Sequence, residues 1–329
     1  MRRLAFGYAA ERESMNDNNP LELPRLTPAA ADSEARLQVF NQHRPLLFSI
    51  AYRMLGSVAD AEDMVQEAFI RWQQSADTDV QVPRTFLVTI VSRLCINHLQ
   101  SARVRREEYV GQWLPEPLLT AVEGDPSARL RIDESLSMAF LVLLERLNPL
   151  ERAVFLLREV FDYDYPEVAR VLGHNESNCR QILRRARQHV AQIRQRFDPS
   201  PQQHEMLARR FLAACSEGDV TGLLALLSNE IVVYADGGGK AAAVPRPIYG
   251  PDHVARFVLG ALRKFVPQGR VTRVVEINGQ AGLVSYFNGR PGSVITFDVE
   301  AGRIRNIYIV SNPEKLARLP VLAADDEAQ

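Results

Sequence analysis

Two all-α regions followed by an α+β domain are what this sequence predicts, and three observations predict it. From Ala35 to Arg196 apolar residues recur at helical spacing. A Pro- and Gly-containing stretch from Gly111 to Pro126 divides that helical part in two. After Asp198-Pro-Ser-Pro the pattern changes, and short alternating segments punctuated by glycine close the chain. The expected organisation is a flexible tail over 1–34, a helical region over 35–108 and a linker over 109–127. A second helical region follows over 128–197, then an α+β domain over 204–319 and a flexible tail over 320–329. A chain of 329 residues is long enough for two or three cores.

The tail contains NDNNPLELPRLTP, rich in Asn and Pro and without periodicity. Arg2-Arg3 followed by LAFGYAA is too short and too soon interrupted, by Tyr8 and Glu11, for an export signal. Leu37, Phe40, Leu47, Ile50, Ala51 and Met54 then make a helical stripe, with Pro45 as a kink or boundary and Gly56 as its end. Ser57 and Asp60 have capping-box spacing, with Asp in the place usual for Glu or Gln. In the next helix Ala61, Met64, Val65, Ala68, Phe69 and Trp72 face inward. Asp60, Glu62, Asp63, Gln66 and Glu67 face outward, and the helix dipole alone accounts for acidic residues in a first turn. A third helix opens at Pro83, buries Phe86, Leu87, Ile90, Val91, Leu94 and Cys95, and ends in the polar-to-basic set Arg93, Asn97, His98, Gln100, Arg103, Arg105 and Arg106.

The linker carries Trp113, Leu114 and Leu118, unusually apolar for a tether, and such side chains dock onto something. Beyond it, YPEVARVLGHNE is a short amphipathic helix stopping at Gly173. SNCRQILRRARQHVAQIRQR is a basic one with no acidic residue. A short helix, a glycine turn and a basic helix form a helix-turn-helix, which grips duplex DNA. Cys179, Ile182, Leu183, Ala186, Val190 and Ile193 make its buried stripe, which leaves Ser177, Asn178, Gln181, Arg184, Arg185 and Gln188 outward. Arg, Asn and Gln carry the donors and acceptors that match base edges and phosphates.

In the last domain, two helices flanking Gly218, a strand IVVYAD and a helix from Asp252 to Lys264 precede four alternating segments. Gly279, Gly289, Gly292 and Gly302 separate these, so an antiparallel sheet with hairpin turns is expected. The glycine-rich loop Asp236-Gly237-Gly238-Gly239-Lys240 is available to cradle a phosphate. That loop lacks the usual phosphate-loop spacing.

A net charge of −1 means that any nucleic-acid binding comes from local patches. Cys95, Cys179 and Cys215 lie far apart in no metal-binding pattern, and no apolar run is long enough to span a bilayer.

In this order the pieces resemble the extracytoplasmic-function group of bacterial sigma-70 factors. LFSIAYRMLGSVADAEDMVQEAFIRW is similar to sigma region 2, VPRTFLVTIVSRLCINHLQSARVRR to its promoter-melting and −10-reading part, and LNPLERAVFLLREVFDYDYPEVARVLGHNESNCRQILRRARQHV to region 4, which reads the −35 element. The α+β domain resembles the SnoaL-like (nuclear transport factor 2-like) cone fused to a subgroup of these factors. Its marks are the DGGGK loop, a tail Asn312-Pro313-Glu314-Lys315-Leu316 with Glu replacing the usual Asp, and the linker motif Trp113-Leu114-Pro115-Glu116-Pro117-Leu118.

The resemblance implies a cytoplasmic initiation factor, not an enzyme, with no cofactor, no metal and no membrane. Its implied partners are core RNA polymerase, through the beta-prime clamp and beta flap, and promoter DNA, duplex and melted. Asp60, Asp63, Gln66 and Glu67 would dock on the clamp. Arg93, Asn97, Arg103, Arg105 and Arg106 would contact the −10 region. Ser177, Asn178, Arg180, Gln181, Arg184, Arg185, Arg187 and Gln188 would contact the −35 element. The loop Asp236, Gly237, Gly238, Gly239 and Lys240, with Trp113, Leu114, Pro115 and Leu118 of the linker, would hold the fused domain on the core and control activity. The alternative, implied by SnoaL-like enzymes, is a fused domain that binds or converts a small ligand in its cavity, lined by Tyr234, Asp236, Tyr286 and Asp298 for acid–base work.

Overall fold

The structure, a computed structural model, describes residues 28–75, 80–107, 109–120, 136–191, 200–265 and 269–322. The expectations for the first 27 residues and for 121–135 lie outside them, as do the side chains of Arg103, Arg105 and Arg106.

Helices α1 (Pro28–Leu55), α2 (Val58–Gln74) and α3 (Pro83–Glu107) form the first helical unit. α1 begins inside the stretch expected as a tail and runs through Pro45. Leu37, expected in its stripe, is 41% exposed, whereas Phe40, Leu47, Ile50, Ala51 and Met54 are buried. Ser57 caps α2 by accepting from the Asp60 amide at 3.2 Å. Glu116 of the linker adds a second cap, accepting from the Val58 amide in the first turn at 2.7 Å.

The second unit is α4 (Met138–Leu144), α5 (Pro149–Phe155), a π-helical turn at Leu156–Val160, α6 (Tyr165–Leu172) and α7 (Glu176–Ala191). Asn148 with Glu151, and Asp164 with Glu167, make full capping boxes, each with Pro in the first turn. Gly173 ends α6 at φ 73°, the left-handed C-cap. The two units share one continuous apolar core, in which α3 packs on α5 and α6. Buried cations cross the seam. Arg152 of α5 donates to the Met54 carbonyl of α1 and pairs with Glu145 at 2.7 Å, and Arg53 of α1 lies over the Phe161 ring.

The C-terminal domain holds α8 (Pro201–Glu217), α9 (Val220–Leu226), α10 (Pro251–Phe265) and α11 (Pro313–Leu316). Its sheet comprises β1 (Leu227–Asp236), β2 (Ile248–Tyr249), β3 (Val271–Ile277), β4 (Gln280–Phe287), β5 (Arg290–Glu300) and β6 (Arg303–Val310), in the order β2-β1-β6-β5-β4-β3. The four alternating segments β3–β6 pair antiparallel as expected, whereas β1 runs parallel to β6, because α10 and four strands intervene before the chain returns beside it. Asn278-Gly279, Asn288-Gly289 and Ala301-Gly302 have positive φ at both positions and make two-residue hairpin turns. Gly292 does not separate strands. It lies inside β5, where a Cβ would collide with the Phe287 ring. Gly292→Ala should therefore cost about 1–3 kcal/mol by overpacking, readable as a lower urea midpoint.

One face of the sheet buries Val233, Leu283, Phe297 and Ile307 against α8–α10, with Phe211 of α8 edge-on to Phe297. The opposite face packs Tyr286, Tyr308 and Val310 against Leu114, Met138 and Leu316. Leu322, expected in a tail, donates its amide to the Gly289 carbonyl at 2.8 Å.

Candidate nucleic-acid and polymerase interfaces and the clamped linker

α7 carries the DNA-binding candidates. Cys179, Ile182, Leu183, Ala186 and Val190 are buried and face α5 and α6, which turns the polar positions outward. Ser177, Gln181, Arg184, Arg185 and Gln188 are exposed, and Asn178 is half-buried beside His174. Arg180 and Arg187 are engaged within the protein. Arg180 pairs with Glu176 at 2.9 Å and covers the Tyr165 ring. Arg187 pairs with Glu159 at 2.7 Å, a partner that raises its pKa. Among the described residues Arg184 and Arg185 have no ion pair, and with Tyr165, Leu183 and Gln188 Arg184 lines a shallow cleft of about 270 Å³.

On α3, Arg93 and Asn97 are exposed. A guanidinium nitrogen of Arg93 lies 3.2 Å from the place a Cβ would take on Gly173, so this residue abuts the helix-turn-helix turn itself. On the outer face of α2, Asp63 and Gln66 are exposed. Glu67 is paired with Arg71 at 2.8 Å, and Asp60 lies 3.6 Å from His98. Ile70, 43% exposed, extends this face, and Glu62 beside it is paired with Arg318 of the C-terminal domain.

The linker from Tyr109 to Thr120 lies between the first helical unit and the C-terminal domain. Asp236, fully buried at the end of β1, is its first anchor. One carboxylate oxygen accepts from the Tyr109 hydroxyl at 2.6 Å and the Gly238 amide at 3.0 Å. The other accepts from the Leu114 amide at 2.9 Å and from Lys315 Nζ at 2.7 Å. Lys315 also donates to the Leu114 carbonyl and lies 4.3 Å from the centre of the Trp113 ring. Burial and the Asp236 charge together push the Tyr109 hydroxyl above the ordinary phenol range.

Trp113 sits on Gly56, whose missing side chain makes its room: a Cβ there would lie 2.7 Å from the indole. Pro115 packs beside it, and Leu114 and Leu118 are buried. Glu116 is buried under the α2 N-terminus, and desolvation pushes its carboxyl upward despite the Val58 and Ala59 amides. In the loop, Gly238 packs on Asn312 and Gly239 on Val110, while Lys240 pairs with Glu314 inside its own domain.

A second anchor was not read from the sequence. Asn278, 1% exposed at the tip of the β3–β4 turn, accepts from the Leu118 amide at 3.1 Å and donates its own amide to the Leu118 carbonyl at 2.8 Å. Its Nδ2 donates to the Tyr52 hydroxyl at 2.7 Å. Tyr52 in turn donates to the Glu116 carbonyl at 2.7 Å. The Asn-Gly pair marked a turn but carried no sign of what the turn would touch.

Tyr234, Asp236, Tyr286 and Asp298 do not line a cavity on the helix side of the sheet. They alternate with the residues buried under α8–α10 and lie on the opposite face. There Tyr234 stacks on Tyr308, and Asp298 accepts from Asn306 at 2.6 Å. Among the described residues no group of His, Cys, Asp and Glu is arranged to hold a metal. No described helix is long and apolar enough to cross a membrane.

Residues 39–105 match the family model for sigma-70 region 2, and residues 137–190 that for sigma-70 region 4. The ECF RNA polymerase sigma factor SigJ of Mycobacterium tuberculosis is 37% identical over 295 residues, 86% of this chain and 93% of that protein. The chain belongs to the ECF RNA polymerase sigma factors. A probable ECF sigma factor of the same organism, SigI, is 33% identical over 281 residues, 83% of this sigma factor and 92% of that one. The crystal structure of SigJ superposes with a TM-score of 0.73 at 34% identity, covering 87% of this sigma factor and all of that chain. Its helical regions 2 and 4 are therefore the two units above, and its work is to direct RNA polymerase in transcription initiation.

Proposed function

We infer that this sigma factor reads −35 DNA with α7 and −10 DNA with α3, docks on the polymerase clamp with α2, and is controlled in the cytoplasm by its own C-terminal domain. The region 4 helices would meet the beta flap. The observation that carries the regulatory reading is the clamped linker: Asp236 and Lys315 hold it on one side, Gly56 and the α2 N-terminus on the other. A domain that grips both region 2 and the linker controls how far region 4 can move away. Arg184 and Arg185 are the DNA contacts best placed in this conformation, with Gln181, Gln188 and Ser177 beside them. Transcription with core polymerase, comparing the full chain with one ending near Ser200, tests the control. Equal promoter output from both chains would remove it and bring forward the ligand-binding alternative.

The docking face has its own test. Asp63→Lys with Glu67→Lys should slow association with core polymerase about tenfold at low salt, because steering by surface charge acts on the on-rate. The difference should shrink as salt rises. Losing the exposed Glu67–Arg71 pair costs the fold only about 0.3–0.5 kcal/mol. Interferometry at two ionic strengths reads the effect, and an unchanged on-rate counts against α2.

A further inference from the structure

β3 is an outer strand of the sheet, and its free edge is taken by the linker. Leu119 bridges Ile277 in antiparallel sense, the Asn278 amide donates to the Leu118 carbonyl, and the Thr120 amide donates to the Glu276 carbonyl at 3.3 Å. The Thr120 hydroxyl bonds the Glu276 carboxylate and accepts from the Gly279 amide at 3.1 Å. This is strand addition to a sheet edge, with main-chain bonds supplying the hold and the buried Asn278 amide supplying the register.

We propose that the β3 edge is a strand-binding site whose occupant, Leu118–Thr120, must peel away before regions 2 and 4 can occupy the two promoter elements together. The inference rests on the −35/−10 reading above and follows from reach. The elements lie about 25 base pairs apart by their names, roughly 85 Å at ~3.4 Å per pair. Each helical region contributes about 11 Å of its own radius, which leaves roughly 60 Å for the tether to span. With Thr120 held on β3, only the 15 residues 121–135 separate it from Leu136, and 15 residues span at most roughly 50 Å at ~3.3–3.6 Å each. Released back to Tyr109, the tether gains the 12 residues 109–120 and reaches roughly 90 Å. In the closed form Arg93 touches the turn before α7, so the two reading surfaces are adjacent rather than a promoter length apart. Asn278 is the positioning residue, because it bonds the linker and the Tyr52 hydroxyl of region 2 at once.

Leu119 and Ile277 form the narrow kind of antiparallel pair, with Cα atoms about 4.5 Å apart, within disulfide range. Leu119→Cys with Ile277→Cys in the full chain fixes the strand when oxidised. The oxidised protein should bind core polymerase within a few-fold of the reduced form, yet initiate at least tenfold less from a promoter carrying both elements, and reductant should restore it. Oxidised wild type controls for Cys95, Cys179 and Cys215. Initiation by the oxidised variant at the reduced rate would overturn the proposal.

Amide exchange separates this inference from the promoter reading beneath it. The Leu118, Thr120 and Asn278 amides should be protected in the free protein and lose at least tenfold of that protection in the polymerase–promoter complex, whichever helix reads which element. Retained protection overturns the proposal. Asn278→Gly keeps the positive-φ turn and deletes only the side-chain amide. It should speed Leu118 exchange severalfold in the free protein, and unchanged exchange would remove Asn278 from the latch.

Discussion

Asp236→Ala is expected to cost about 3–5 kcal/mol and to detach the linker from the C-terminal domain. The carboxylate has no solvent exposure, and four donors converge on it. Removing it leaves the Lys315 ammonium, with a side chain only 12% exposed, without its counter-charge, and a stranded buried charge is the costly half of a broken pair. Tyr109 and the Leu114 amide lose their acceptor in the same stroke. Tyr109→Phe removes one hydroxyl and should cost about 1 kcal/mol. Denaturant unfolding gives the magnitudes, and limited proteolysis within 109–120 locates the change. Equal midpoints for Asp236→Ala and Tyr109→Phe would mean that the Lys315 pair contributes nothing.

The second large effect is on DNA. Arg184→Ala and Arg185→Ala together should weaken promoter binding by about 2–6 kcal/mol if both reach bases, at about 1–3 kcal/mol for each good contact. If both reach phosphates, the loss is more uniform across sequences, and the slope of log affinity against log salt falls by about two. Arg180→Ala and Arg187→Ala should do less, since each must first leave Glu176 or Glu159 to meet DNA. Binding of a −35 duplex over a salt series distinguishes these cases, and unchanged affinity in the double variant would remove α7 as the reading helix.

The helices and their inward faces were legible because they are local. Capping residues and a 3.6-residue period fix α2, α6 and α7 within a few neighbours of each position, and the alternation of β3–β6 does the same for the strands. The parallel pairing of β1 with β6 was not legible, because it is set by where α10 carries the chain and not by either strand's own pattern. The outward set on α7 could be read for the same local reason, yet the pairing of Arg187 with Glu159 spans 28 positions and left no mark on the helix. Glu116 capping α2 and Asn278 bonding Tyr52 span 58 and 226 positions. Each is an ordinary polar residue until the fold brings its partner within 3 Å. Trp113 and Leu114 gave a partial signal, being too apolar for a free tether. Tyr109 and Thr120 gave none.

The strand and the edge it pairs with belong to one polypeptide. Their encounter is therefore governed by an effective concentration, millimolar for short flexible connections, and not by how much protein a cell makes. A restraint supplied by a separate protein can be titrated away by raising the ratio of one chain to the other. Here the ratio is fixed at one to one by synthesis, and dilution or overproduction leaves the closed fraction where it was. More copies add more closed molecules in the same proportion. What changes that proportion is differential binding, a ligand or surface that holds the open form more tightly than the closed one. In the strand-release proposal that surface is a polymerase-bound promoter, which needs regions 2 and 4 apart, so the supply of such complexes, rather than the level of an antagonist, would set the threshold for this factor's response.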